Sequence, residues 1–171
     1  MIKGKAIKFG DNIDTDQIIG AHRLTLPAIR DMAPFTFEHH AHFISHFTRG
    51  DILVGEENFG CGSSREQAPA VLKDRGVAAI IACSFARIFF RNAINLGLPL
   101  IIFAEAAEIT ELDELAIDHD HLRNLTTGKD SAIEPLPPFI QEILDSGGVL
   151  PSLRKKTGTE TVSPARGQDI R

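Results

Sequence analysis

Val77-Ala78-Ala79-Ile80-Ile81-Ala82-Cys83, residues 84–96, and then Leu98-Pro99-Leu100-Ile101-Ile102-Phe103 form the stretch on which the fold turns. The first and last pieces are short continuous apolar runs, the pattern of strands buried on both faces. Between them, Ser84 as N-cap and Gly97 as stop predict a helix over 84–96. The same unit occurs once more upstream. Asp51-Ile52-Leu53-Val54-Gly55 reads as a buried strand, and residues 64–75 as a helix with Ser64 as N-cap and Gly76 as stop. Glu66 and Gln67 sit in its first turn, and Pro69 predicts an early kink or a later start. Two strand–helix steps ending in a third strand argue for parallel pairing, because parallel neighbours need a crossover, and hence for an α/β core.

Outward from this core the signals weaken. Residues 2–9 alternate loosely and read as a strand, closed by the turn residues Gly10-Asp11-Asn12. Residues 20–50 have little periodicity and read as loops with a short helix. Residues 108–134 read as short strands and turns, and 138–146 as a helix between Pro135, Pro137, Pro138 and Gly147-Gly148. From Arg154 onward Val162 and Ile170 are the only bulky apolar residues. The expected organisation is one domain over 1–153 and a disordered tail over 154–171.

Composition excludes several functions. The 171 residues fit one domain. A net charge of −5 and a pI near 5.8 leave no electrostatic footprint for nucleic acid. No apolar run approaches the roughly 20 residues that span a bilayer, and the N-terminus has no signal-peptide core, so the chain is expected in the cytoplasm. Its two cysteines, Cys61 and Cys83, fall short of a disulfide framework or of the about four thiolates of an iron–sulfur cluster. With neither Tyr nor Trp present, a tyrosine acid–base mechanism is excluded.

Three stretches carry candidate chemistry. In Gly60-Cys61-Gly62-Ser63-Ser64-Arg65-Glu66, glycines allow close approach and a helix start gathers N–H donors. Arg65 adds a fork for a carboxylate or phosphate. The stretch reads either as an anion site with a hydroxyl beside it or as a tight strand–helix turn. Asp11-Asn12-Ile13-Asp14-Thr15-Asp16 holds three acids in six residues, suited to a metal or to Asx turns, but lacks the EF-hand pattern. His39, His40, His42 and His46 lack the HExxH spacing and lie beside Phe43 and Phe47, as in a half-buried amphipathic piece. No metal site is expected. Cys83, ending an apolar run, is expected to be a core thiol. Arg87 and Arg91 are expected to face solvent or a partner, with lining of the site as the alternative.

Read together, Asp11–Ile19, Gly55–Ala68 and Ser84–Phe89 with Asn92 and Asn95 resemble the small-subunit family of 3-isopropylmalate dehydratase, itself similar to the C-terminal swivelling domain of aconitase. The resemblance spans about residues 2 to 150. It implies a single swivelling domain whose mixed, partly parallel sheet is flanked by helices. It also implies a hydro-lyase that moves a hydroxyl on a substituted malate by dehydration and rehydration, first of all between 3- and 2-isopropylmalate in leucine biosynthesis, and works only with a large subunit. That partner would carry the 4Fe-4S cluster; this chain would hold no cofactor. By the same resemblance Ser63 is the base, Asp16 and Arg65 are catalytic, and Ser64, Gly62, Cys61, Arg23 and Thr25 contact a small di- or tricarboxylic acid. Asp14 is a weaker candidate. The chain departs from the family pattern at Ile18-Ile19-Gly20-Ala21-His22-Arg23, where Gly20 replaces a proline and Arg23 an aromatic residue. Arg23 would either favour an extra carboxylate, as in homoaconitate- or methylcitrate-type acids, or face outward. Dimethylmalate-type acids are a further alternative. A non-catalytic anion-binding module is the reading from another class. A serine hydrolase is disfavoured because the G-x-S-x-G spacing is absent. Self-association of the isolated chain is a further expectation.

Overall fold

The computed structural model describes residues 1–157. Its strands are β1 (Ile2–Lys8), β2 (Ile52–Val54), β3 (Ala79–Ala82), β4 (Leu100–Ile102), β5 (Glu114–Asp118), β6 (His121–Asn124) and β7 (Asp130–Ala132). They form one sheet in the order β4-β3-β2-β1-β5-β6-β7. β1 to β4 run parallel and β5 to β7 antiparallel, with β1 belonging to both halves. The helices are α1 (Thr15–Ile18), α2 (Ile29–Met32), α3 (Ala41–His46), α4 (Gln67–Arg75), α5 (Arg87–Leu96), α6 (Pro138–Asp145) and α7 (Val149–Thr157).

Side-chain alternation divides the parallel strands between two cores. Ile7, Leu53 and Ile80 pack with Ile18, Phe37, Phe43, Val71, Leu72 and Phe89 on the helical face. Their neighbours Ala6, Ile52, Val54, Ala79 and Ile81 pack with Leu115, Ile117 and Leu122 of the antiparallel half, so the sheet curls over that face. Burial on both faces explains why β2 and β3 read as continuous apolar runs.

Both central helices start later than the sequence reading placed them. α4 begins at Gln67, which leaves Pro69 in the first turn, where its missing N–H removes no helical bond. Ser64 caps nothing. α5 begins at Arg87, because Ser84 is engaged elsewhere: its Oγ accepts the Asn58 N–H at 2.8 Å and donates to the Glu57 carboxylate. Both helices end as expected on left-handed glycines, Gly76 and Gly97. Lys73 donates to the carbonyls of Leu96 and Gly147, tying the end of α5 to the turn after α6. α7 continues through Thr157, so residues 154–157 of the expected tail are helical. The remainder of that call, 158–171, lies outside the described residues. Cys83 is half-buried at the rim of the second core rather than inside it, with its thiol 3.4 Å from the Ala104 carbonyl.

Candidate active site

The loops that leave β1, β2 and β3 emerge at one end of the sheet and are laced together there. The β1–β2 pairing resumes beyond the strands as a parallel bridge between Asp14 and Cys61, and a second bridge joins Phe59 to Phe85. The Asn12 amide donates to the Glu57 carbonyl at 2.8 Å, and the Glu57 amide to the Asp11 carboxylate at 2.9 Å. Asn58 donates from its side chain to Asn12 Oδ1 at 2.9 Å. Asn12 and Asn58 both lie in the left-handed region, which asparagine tolerates better than most residues.

Gly60 and Gly62 also have positive φ, +79° and +88°. A Cβ on Gly60 would fall 2.1 Å from the Phe89 ring, so both conformation and space demand glycine. Beyond Gly62 the chain presents Ser63 and Ser64 on the surface. Among the described residues neither hydroxyl has a hydrogen-bond partner, nor do the N–H groups of Gly62, Ser63 and Ser64. Free donors on the exposed loop that leads into α4 can attract an anion near Ser63.

Arg65 completes the arrangement. It is largely buried, with 17% of its side chain exposed. Its Nη1 donates to Asp16 Oδ1 at 2.5 Å and approaches the Ile19 carbonyl at 3.4 Å. Nε and Nη2 have no partner among the described residues, so part of the fork stays available for a carboxylate. Asp14 caps α1, its carboxylate accepting the Gln17 N–H at 2.8 Å. Of the residues singled out from the sequence, Asp16, Ser63, Ser64, Arg65, Gly62 and Cys61 thus come together. Burial, then the Asp14 charge, pushes the Cys61 thiol up from its ordinary value, so it stays protonated at neutral pH.

Arg23 has partners within the chain. It stacks on Phe35, 3.7 Å from the ring centroid, and forks onto Glu38 at 2.6 Å and 3.2 Å. The Arg23 hydrogen bond holds the Glu38 carboxyl below its usual range. Thr25 is exposed and bonds to the His22 carbonyl. Sequence reasoning missed Glu38, which lies 15 residues from Arg23 in the chain. It also missed Thr15, buried between two acids, and the Asn12–Asn58 pair. The left-handed asparagine before Phe59 was the available signal for that pair. Among the described residues no group of three or more His, Cys, Asp or Glu side chains is placed to hold a metal ion.

Fold and site together define an aconitase-type domain: the family model for the aconitase C-terminal domain matches residues 43–106. The 3-isopropylmalate dehydratase small subunit of Wolinella succinogenes is 48% identical over 157 residues, 90% of this chain and 94% of that one. The isopropylmalate/citramalate isomerase small subunit of Methanocaldococcus jannaschii is 47% identical, covering 91% and 95%. A crystal structure of 3-isopropylmalate dehydratase from Methanocaldococcus jannaschii superposes with a TM-score of 0.86 at 41% identity, over 91% of this chain and 95% of that one. The chain belongs to the family of 3-isopropylmalate dehydratase small subunits.

Proposed function

We propose that this chain is the small subunit of a two-subunit hydro-lyase that interconverts 2- and 3-isopropylmalate, with Ser63 as its base. The observation that carries the proposal is the exposed Ser63 hydroxyl, which has no partner among the described residues, on a loop held against Asp16 and Arg65. A serine hydroxyl is a weak base in water. Converging N–H dipoles and a guanidinium stabilise its alkoxide and bring its proton affinity into a useful range. Ser63 takes the proton alpha to a carboxylate, the C–H electron pair forms the double bond, and the neighbouring hydroxyl departs. The enoic acid then takes up water at the other carbon, and Ser63 returns the proton. Asp16 orients Arg65, whose free donors bind a substrate carboxylate. Ser64 and the amides of Gly62 and Ser63 receive the remaining charge.

Two half-buried cysteines cannot hold a cluster, so the reading places the 4Fe-4S cluster on a large subunit, where it would supply a Lewis acid for the departing hydroxyl. The exposed loop makes sense as a surface that such a partner completes. Glu38 neutralises Arg23, which favours an uncharged substituent over the extra carboxylate of homoaconitate- or methylcitrate-type acids. The test is anaerobic co-purification with the large subunit, followed by enoate absorbance with isopropylmalate, citrate, homocitrate and dimethylmalate. Activity in the complex alone, highest on isopropylmalate, is expected. A complex inactive on all four acids would leave an anion-binding module as the better account.

A further inference from the structure

We infer that Thr15 is a positioning residue that sets the Ser63 hydroxyl for proton transfer; the inference rests on the reading of Ser63 as the base. Thr15 lies between two acids yet is 1% exposed, the most buried polar residue among those described. Its amide donates to the Cys61 carbonyl at 2.9 Å, and its Oγ1 donates to the Ser63 carbonyl at 3.1 Å. These two bonds bracket Gly62, the left-handed and most pliable link of the loop. The Ser63 carbonyl also accepts the Arg65 amide at 2.8 Å. Two donors from different elements therefore fix the Ser63 peptide, and the side chain keeps only its χ1 rotation. Thr15 itself is fixed by α1, where its carbonyl accepts the Ile19 N–H at 3.0 Å. The same short helix carries Asp16, so one rigid turn locates both the Arg65 partner and the Ser63 backbone. Without the Thr15 hydroxyl, the exposed loop pivots at Gly62, and water takes the vacated place on the Ser63 carbonyl. Proton transfer is steeply distance-dependent, whereas carboxylate binding by Arg65 does not pass through this bond.

The experiment uses the complex with the large subunit and compares Thr15→Val, Thr15→Ala and Thr15→Ser with the unaltered chain, with Ser63→Ala as control. Val keeps the volume and removes the hydroxyl; Ala repeats the loss if Val does not fold. A misplaced reacting group costs on the order of 10–100-fold, so kcat should fall by at least about 5-fold in both, with KM within about 3-fold. Thr15→Ser should recover kcat to within about 3-fold of the unaltered complex, because the donor is back. A smaller kcat loss in Thr15→Val or Thr15→Ala, or a Thr15→Ser variant as impaired as they are, would overturn the inference. If Ser63→Ala itself turns over normally, the reading of the base falls and this inference with it. If Ser63→Ala is silent while Thr15→Val is normal, only the role of Thr15 falls.

Discussion

The two halves of the sheet do different work. At the carboxyl ends of β1, β2 and β3 the parallel half carries an unusual density of constrained backbone: Asn12, Asn58, Gly60 and Gly62 at positive φ, and two bridges outside the strands. The antiparallel half carries none of the candidate residues. Beneath its surface ion pairs it holds a buried polar knot, in which Asn124 donates to Asp113 at 2.7 Å and accepts the Thr126 and Thr127 amides. Positive φ also occurs beside the antiparallel strands, at Leu112, His119 and Gly128, but away from the candidate residues. One half thus gathers constrained loops around exposed chemistry, while the other covers the back of the same strands. Damage to the exposed side chains of the first should appear in turnover and damage to its loop glycines in stability, whereas damage to the second should appear in stability alone.

The largest expected break is Gly60→Ala. A left-handed alanine whose Cβ collides with Phe89 should lose about 3 kcal/mol or more of folding stability, measured by urea unfolding. A loss under about 1 kcal/mol would show that the turn is slack. Arg65→Lys keeps the charge but loses the fork, and kcat/KM of the complex should fall about 100-fold, with Tm little changed. In the other half, Asn124→Leu leaves two amides and Asp113 without their partner. It should cost about 1–3 kcal/mol while turnover per folded complex stays unchanged. A turnover defect there would erase the contrast between the halves.

The smallest effect concerns pH. Burial, then His42 and His39, hold His40 below the ordinary histidine value, beside the rings of Phe9 and Phe37. The unfolded chain takes up this proton near pH ~6.5 and the folded chain only at lower pH. This contribution to stability is therefore complete above that point and lost as pH falls through it. Tm should drop between pH 7 and 5.5, and His40→Gln should shrink the drop. An unchanged slope would contradict the assignment.

Much of this was legible in the sequence, for identifiable reasons. β2 and β3 announced themselves because burial on two faces enforces unbroken apolar runs. The helix stops were legible because Gly76 and Gly97 adopt the conformation that glycine tolerates at lowest cost. The starts were not, because Ser84 looks like a cap until the loop engages its hydroxyl, and Ser64 looks like one although the helix begins three residues later. Residues 20–50 stayed opaque because short turns there are held by distant partners, such as Phe37 stacked on Phe9 at 4.4 Å. Asp16, Ser63 and Arg65, singled out by their motifs, lie together in the fold. The Glu38 grip on Arg23 could not be, since no spacing rule joins residues that meet through loops.

In the proposed function Ser63 moves the proton while Arg65 holds the acid. The most direct measurement is single-turnover enoate formation by the complex carrying Ser63→Ala, beside isopropylmalate binding to the same complex. The account predicts a rate lower by about 10²–10⁴-fold with binding retained. A rate within a few-fold of the unaltered complex would contradict it and move the base to another residue.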